Sequence, residues 1–170
     1  MMAARPRTLR TLLILRHAKA SHDEGYEDRE RPLTKKGERM AKRIGELLAE
    51  EELIPNLILS SSAVRARQTA EAAAKHAKLK GAIQLLDDLY LAEPEAHVTA
   101  LARRGGGHER VMVVGHNPGL EALVERITGR SEHLPTGGLA DCSLPVESWA
   151  ELSGQVTGSL IRVWRLKDED

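Results

Sequence analysis

The side chains best suited to chemistry stand where apolar runs of the sequence end. Residues 12–15 form a run of Leu and Ile, and Arg16 and His17 follow it directly. Such a run is typical of a strand buried on both faces of a sheet, and open α/β sheets bind ligands at the carboxyl ends of their strands. A guanidinium group matches phosphate oxygens and a neutral imidazole is a nucleophile, so this pair could bind a phosphoryl group and attack it. The alternative at this point is a strand end that is merely polar.

Two further strand ends carry residues of the same kind. The apolar residues 57–59 lead to Arg65, and the apolar residues 111–114 lead to His116. Because parallel strands end at the same edge of a sheet, we expect these two residues to converge with Arg16 and His17. Arg65 lies in the first turn of a predicted helix, where the helix dipole disfavours a cation, so an anion is expected nearby. Taken singly, Arg65 could be a solvated helix residue and His116 a turn residue.

Other chemistries fit the sequence less well. Two histidines could bind a metal, but two guanidinium groups repel a divalent cation, and no cysteine or clear carboxylate cluster completes a ligand set. Residues 105–107 are a glycine run without the Lys-Ser/Thr that a P-loop requires, and there is no Gly-x-Ser-x-Gly motif. We therefore predict neither a metal nor another cofactor, which leaves a histidine as the nucleophile.

The elements that would position these residues alternate along the chain. Strands are predicted at residues 12–15, 57–59, 83–86, 111–114 and 160–166. Helices are predicted from the N-cap Thr34 to about residue 52, from 63 to 78 after a Ser62 cap, from 94 to 103 and from 120 to 128. This alternation predicts a three-layer α/β fold, in which a mainly parallel central sheet has helices on both faces. The length of 170 residues and the lack of a linker fit a single domain over residues 1–170.

Composition argues against several classes of partner. Lys and Arg together number 25, as do Asp and Glu, and Phe is absent, so the chain has neither a basic field nor the stacking aromatics that hold single-stranded nucleic acid. The apolar stretch near the start is cut off by Arg16 and is too short for a membrane span or a signal peptide. The single cysteine, Cys142, cannot form an internal disulfide. We therefore expect a cytoplasmic protein without a nucleic-acid or membrane partner, and the sequence leaves the oligomeric state open.

Taken together, the motifs around these residues resemble those of the histidine phosphatase superfamily, which has the phosphoglycerate mutase-like fold. The resemblance runs from about residue 12 to residue 144 and rests on Leu15-Arg16-His17-Ala18, Arg31-Pro32-Leu33-Thr34 with Gly37, Ser61-Ser62-Ala63-Val64-Arg65-Ala66 with Gln68-Thr69, and Gly115-His116-Asn117-Pro118. Within the superfamily, SixA-like phosphohistidine phosphatases are similar in their short chain and in the segments Arg16-His17-Ala18-Lys19 and Leu134-Pro135-Thr136-Gly137-Gly138. The superfamily's usual Arg-His-Gly is Arg-His-Ala here, which places a methyl group at a position that favours glycine.

The resemblance implies a role for each of the four residues. His17 is implied to be the nucleophile that becomes phosphorylated. Arg16 and Arg65 are implied to bind the phosphoryl oxygens, with His116 completing the pocket. The physical chemistry agrees, because phosphoryl transfer needs positive charge around the transferred oxygens, and nearby cations disfavour protonation of the nucleophilic histidine.

The leaving group is less well defined by the sequence. Larger members of the superfamily use a carboxylate to protonate a leaving alkoxide, and Glu93 or Glu95 lies in the roughly corresponding region; the loop carboxylates Asp23, Glu24 and Asp28 are less favoured. An imidazole has a pKa near 6.5 and leaves without strong proton assistance, whereas an alkoxide needs an acid. We therefore predict a metal-independent phosphatase that acts on phosphohistidine in proteins through a covalent phosphohistidine intermediate. The alternatives are a phosphatase of small phosphoesters or nucleotides and, less favoured, a phosphate-binding module without turnover.

Overall fold

Six strands form one sheet in the computed structural model, which describes residues 9–155 and 157–167 of the chain. The strands are β1 (Arg10–Arg16), β2 (Leu57–Ser61), β3 (Ala82–Leu86), β4 (Arg110–Gly115), β5 (Leu139–Leu144) and β6 (Ser159–Trp164). Their order across the sheet is β3-β2-β4-β1-β5-β6; the first four strands of the chain pair in parallel, and β5 and β6 are antiparallel. The predicted mainly parallel sheet is confirmed. Residues 1–8, 156 and 168–170 belong to the predicted single domain but lie outside the described residues.

Helices cover both faces of the sheet, as predicted. They are α1 (Lys35–Glu50), α2 (Val64–Ala77), α3 (Pro94–Arg104) and α4 (Gly119–Thr128). Leu12 and Ile14 of β1 pack into the core on the side of α3 and α4, whereas Leu13 and Leu15 pack on the side of α1 and α2. All four side chains are fully buried, which explains why this strand is apolar without alternation. None of the helices in the described ranges is long and apolar enough to cross a membrane.

The first turns of α1 and α2 begin in different ways. Thr34 is the N-cap of α1 as predicted, and its hydroxyl accepts a hydrogen bond from the Gly37 N–H at 3.0 Å. The predicted cap of α2 was wrong: the N-cap is Ala63, without a side-chain bond. The reason is that Ser62 is engaged elsewhere, since its hydroxyl accepts from Arg29. Ser61 instead accepts from the Ala63 N–H at 3.2 Å.

The tail of the chain contains a strand that the sequence pattern did not predict. β6 corresponds to the predicted strand 160–166 and lies at the sheet edge, but β5 lies between β6 and β1. The turn before β5 holds the end of β1, because the Gly137 N–H donates to the carbonyls of Arg16 and His17 at 3.1 and 3.0 Å. Gly137 has a φ of 74°, a conformation that favours glycine. The antiparallel tail therefore braces the strand that carries the candidate nucleophile.

Candidate active site

The register of the central strands brings the predicted residues to one edge of the sheet. Arg16 at the end of β1 pairs with Gly115 at the end of β4, and Ser60 of β2 pairs with Val114 of β4. The residue that follows each strand end is therefore presented on the same side. His17 follows β1 and His116 follows β4, and their ring centroids are 5.2 Å apart.

His17 is a neutral imidazole whose tautomer is set by the backbone. Its ring is buried, at 7% exposure, and its Nδ1 lies 2.8 Å from the carbonyl oxygen of Ala18. A carbonyl oxygen can only accept, so Nδ1 carries the hydrogen and Nε2 keeps a lone pair. Burial is the main cause that lowers the pKa of His17 to about 4; the bond to Ala18 opposes it, and the charges of Arg65, Arg16 and Arg31 add to it. At neutral pH, Nε2 is therefore unprotonated, as a nucleophile must be.

Arg65 faces the lone pair of His17 from the first turn of α2. Its Nε donates to His17 Nε2 at 3.3 Å, and its side chain is only 3% exposed. The other guanidinium nitrogens bind Asp28: Nη1 donates to the backbone oxygen at 2.6 Å and Nη2 to Oδ2 at 3.1 Å. The anion that the sequence led us to expect near this cation is thus, in part, a carboxylate of the chain itself.

Arg16 approaches the site from the strand end. Its Nη1 donates to the Leu134 carbonyl at 3.1 Å, while its Nε is buried and has no hydrogen-bond partner within the described residues. Burial lowers the pKa of Arg16, and the charge of Glu121 opposes this effect. A buried N–H without an acceptor is costly, so Arg16 Nε is suited to a ligand that brings an oxygen atom.

The two ring nitrogens of His116 differ in their hydrogen-bond partners. Its Nε2 lies 2.8 Å from Ser61 Oγ, whereas its Nδ1 is buried without a partner in the described part of the chain. Burial is the main cause that lowers the pKa of His116 to about 3, and the positive charge of Arg65 is a further cause. The edge of the ring packs against Tyr90 at 5.6 Å between centroids.

Asp28 is the carboxylate that contacts this cluster. It belongs to a short 3₁₀ helix, Asp28–Glu30, in the loop after β1. Besides Arg65, it accepts from the Tyr90 hydroxyl and, through Oδ1, from Arg31 Nε at 3.1 Å. The Tyr90 bond is the largest cause that lowers the pKa of Asp28 to about 2, and Arg65 and Arg31 contribute. Asp28 is therefore ionised at neutral pH and carries no proton to donate.

A polar network anchors the loop that carries Asp28. Arg29 donates to Ser62 and to Asp87, and its guanidinium lies 5.2 Å from the centre of the Tyr90 ring. These contacts join the loop to the start of α2 and to the segment after β3. The carboxylate of Asp28 is thereby held in place beside Arg65.

In the described residues, the predicted acids Glu93 and Glu95 make no hydrogen bond or ion pair with His17, Arg65 or His116. Glu93 is the exposed N-cap of α3 and makes no side-chain capping bond. Glu95 is 76% exposed in its side chain and pairs with Arg126 in the last turn of α4. The physical reason is the direction of α3, whose first turn presents Glu95 to the far end of α4. Asp23 and Glu24 are exposed loop residues, and of the carboxylates considered from the sequence only Asp28 contacts Arg65 in the described residues.

Thr69 is a site residue whose role the sequence reasoning did not assign. Its hydroxyl accepts from the Ala18 N–H at 3.0 Å and donates to the Arg65 carbonyl at 2.7 Å. One side chain thus connects the peptide that follows His17 to the turn that carries Arg65. The available signal was spacing, since a residue four positions after Arg65 lies on the same helix face.

The chemistry of the donors suits a phosphoryl group. In the described ranges, no group of three or more His, Cys, Asp or Glu side chains is arranged to hold a metal ion. The cluster instead offers a nucleophilic nitrogen on His17, two guanidinium groups and the imidazole of His116. Preorganised N–H donors of this kind stabilise the charge of a transferred phosphoryl group.

Comparison with known proteins places the chain among phosphatases. Residues 12–90 match the family model of the histidine phosphatase superfamily, branch 1. An uncharacterized protein of Mycobacterium tuberculosis is 32% identical over 137 residues, which cover 74% of this chain and 84% of the relative.

Solved structures extend the similarity over nearly the whole chain. A protein of Agrobacterium tumefaciens, provisionally named phosphohistidine phosphatase SixA, is 31% identical, with a TM-score of 0.76 and coverage of 96% of this chain and 100% of the other. A protein of Nakamurella multipartitia with the same provisional name is 26% identical, with a TM-score of 0.84 and coverage of 94% of this chain and 98% of the other.

Proposed function

The chain belongs to the histidine phosphatase superfamily and is a phosphatase, and from this premise we propose that it hydrolyses phosphohistidine in proteins through a covalent intermediate on His17. His17 Nε2 is the nucleophile in this proposal. Arg16, Arg65 and His116 bind the oxygens of the phosphoryl group. The alternative substrates are small phosphoesters or nucleotides.

The first step transfers the phosphoryl group to the enzyme. The lone pair of His17 Nε2 forms a bond to phosphorus while the bond from phosphorus to the substrate nitrogen breaks. The substrate ring reacts with a proton from solvent already bound to its other nitrogen, so it takes the electron pair of that bond and departs as neutral imidazole. The buried Nε–H of Arg16 and the guanidinium of Arg65 offset the negative charge of the transferred oxygens.

The second step releases phosphate. Water attacks the phosphorus atom, the bond to His17 Nε2 breaks, and the electron pair returns to that nitrogen. The two hydrogens of the water leave with the phosphate product, which then loses a proton to solvent. Throughout both steps the Nδ1–H of His17 stays bonded to the Ala18 carbonyl, so the ring returns to its starting tautomer.

The observation that carries this proposal is the bonding of Asp28, whose carboxylate accepts hydrogen bonds from Arg65, Arg31 and the Tyr90 hydroxyl. The carboxylate that contacts the cluster has a pKa of about 2, so it does not act as a general acid at neutral pH. An alkoxide leaving group needs such an acid, whereas an imidazole with a pKa near 6.5 does not. The site therefore favours cleavage of a phosphorus–nitrogen bond over cleavage of an alkyl phosphoester.

The test compares leaving groups on the same enzyme. We would measure kcat/KM for a phosphohistidine peptide and for an alkyl phosphate, with wild type and with His17→Ala. General acid catalysis contributes about 10²–10⁴-fold, so we expect the alkyl phosphate to be slower by at least about 10²-fold and His17→Ala to lose both activities. An enzyme that prefers the ester would favour the small-molecule alternative, and an active His17→Ala would contradict the assigned nucleophile.

The single cysteine, Cys142, indicates whether the protein works in a reducing or an oxidising compartment. Cys142 lies buried in β5, and burial raises the pKa of its thiol to about 12. We propose that the protein works in a reducing compartment such as the cytoplasm, since its one thiol is unpaired and kept inert.

A further inference from the structure

The two ring nitrogens of His116 have unequal surroundings. Nε2 lies 2.8 Å from Ser61 Oγ, and Nδ1 is buried without a partner among the described residues. A neutral imidazole has a single N–H, and only the nitrogen that carries it can donate. The chemistry of the pocket therefore depends on which nitrogen of His116 holds the hydrogen.

The hydrogen bonds of Ser61 decide between the two tautomers. Its hydroxyl oxygen accepts from the Ala63 N–H at 3.2 Å, and the residue is fully buried. The hydroxyl hydrogen has one acceptor within reach in the described part of the chain, which is His116 Nε2. The opposite arrangement would leave two buried groups unpaired, the hydroxyl hydrogen of Ser61 and the Nδ1 lone pair of His116, whereas a hydrogen on Nδ1 leaves only that N–H unpaired. The Ser61 O–H therefore donates to Nε2, and Nδ1 carries the hydrogen.

We propose that Ser61 is a positioning residue that holds His116 in the Nδ1–H tautomer, so that this N–H donates to a phosphoryl oxygen. The inference rests on the proposed function for its substrate, but the tautomer itself is a property of the free protein. On this assignment the group of His116 that stays unpaired in the described residues is a donor, which a phosphoryl oxygen can pair. Arg16, the residue before His17, has a second buried N–H without a partner in the described part of the chain, at Nε.

The neighbouring serine supplies a matched control. Ser60 is also fully buried, and its hydroxyl donates to the Ser61 carbonyl at 2.9 Å without contacting His116. Ser60→Ala and Ser61→Ala each remove one buried hydroxyl from the same strand. A merely structural effect of losing a hydroxyl would appear in both variants, whereas an effect on His116 would appear only in Ser61→Ala.

The decisive measurement is the tautomer of His116 by two-bond ¹H–¹⁵N correlation spectra of ¹⁵N-histidine protein at pH 7, with the signal assigned from a His116→Gln sample. We expect a protonated Nδ1 and an unprotonated Nε2 in wild type and in Ser60→Ala. In Ser61→Ala we expect a mixture of tautomers or the Nε2–H form. A wild-type signal with the hydrogen on Nε2 would overturn the proposal without any variant, and so would an unchanged tautomer in Ser61→Ala.

Vanadate inhibition and turnover rates test whether the Nδ1–H of His116 contributes to phosphoryl binding. Removing one preorganised donor to a transition-state oxygen costs about 10²–10³-fold in kcat, so we expect a loss of roughly that size in Ser61→Ala and near wild-type rates in Ser60→Ala. Inhibition by inorganic vanadate should weaken about tenfold in Ser61→Ala alone. Equal losses in both serine variants would count against the proposal. Because the spectra and the vanadate binding need no phosphohistidine substrate, an enzyme that prefers phosphoesters would refute the proposed function and leave this inference standing.

Discussion

Asp28 and Arg65 are bound to each other at two points, through the backbone oxygen and through the carboxylate of Asp28. The remaining guanidinium nitrogen of Arg65, Nε, faces His17. An incoming phosphoryl group must therefore share Arg65 with a carboxylate that is already there. This pairing keeps a buried cation compensated when no ligand is present, and it opposes anion binding at the same time.

Replacing Asp28 by Asn should strengthen the binding of inorganic vanadate. The amide keeps a hydrogen-bond acceptor for Arg65 but removes a negative charge beside the anion site, so we expect the inhibition constant to fall by roughly three- to tenfold. Inhibition of phosphohistidine peptide hydrolysis would be the measurement. Asp23→Asn in the same loop is the control, because the Asp23 carboxylate accepts from the Gly25 N–H and not from Arg65. This variant should leave the inhibition constant for vanadate unchanged. A weaker inhibition in Asp28→Asn would mean that the carboxylate chiefly holds Arg65 in position.

We expect kcat to depend on the hydroxyl group of Thr69 and not on the shape of its side chain. Thr69→Val has nearly the same volume but leaves the Ala18 N–H without an acceptor, so the peptide after His17 is no longer tied to the turn of Arg65. We expect kcat to fall by about tenfold or more and the free energy of unfolding to fall by about 1–3 kcal/mol. Thr69→Ser keeps the hydroxyl and should recover most of the rate. If Val and Ser variants behave alike, the hydroxyl bridge has no part in positioning.

Stability should fall as the pH drops below about 6.5, in part because of His97. This residue is fully buried, and burial lowers its pKa from 6.5 to about 4. Between about pH 4 and pH 6.5, the unfolded chain therefore binds a proton at His97 that the folded protein does not bind. His97→Met should reduce the slope of the unfolding free energy against pH by up to about 1.4 kcal/mol per pH unit in that interval. Urea denaturation at pH 7 and pH 5 would measure it, with the exposed His22→Met as the control. An unchanged slope in His97→Met would show that His97 is protonated in the folded protein.

Replacing Glu93 or Glu95 by Gln should show that neither residue is a general acid in this reaction. Glu95→Gln removes the ion pair with Arg126, and Glu93→Gln alters an exposed N-cap that makes no capping bond. We expect kcat/KM for a phosphohistidine peptide to stay near the wild-type value in both variants. A large loss in either one, measured on an ester substrate, would assign that residue as a general acid and argue for the small-molecule alternative.

The sequence predicted the parallel half of the fold well because burial on both faces leaves a clear pattern. Strands β1, β2 and β4 are runs of apolar residues, and each leads into a residue of the site. β5 is equally buried but contains Asp141 and Cys142 between smaller side chains, so no apolar run marks it. Its place beside β1 depends on contacts of the turn at Gly137, which lie far apart in sequence.

The same distinction applies to the site. Residues at strand ends could be identified because topology alone brings them together. The acids could not, since the position of Glu95 depends on the packing of α3 against α4 and that of Asp28 on a loop bound to Arg65. The tautomers of His17 and His116 depend on single acceptors, the Ala18 carbonyl and the Ser61 hydroxyl, which no residue pattern reveals.

The segment just before β5 bears on when the protein becomes active during its synthesis. Arg16, His17, Arg65 and His116 have all been translated by residue 116, but the Leu134 carbonyl that holds Arg16 and the Gly137 N–H that holds the end of β1 come later. A nascent chain that has released the four residues from the ribosome still lacks this brace. We therefore expect a chain shortened before residue 134 to lose most of its phosphatase activity, because neither contact can form in it.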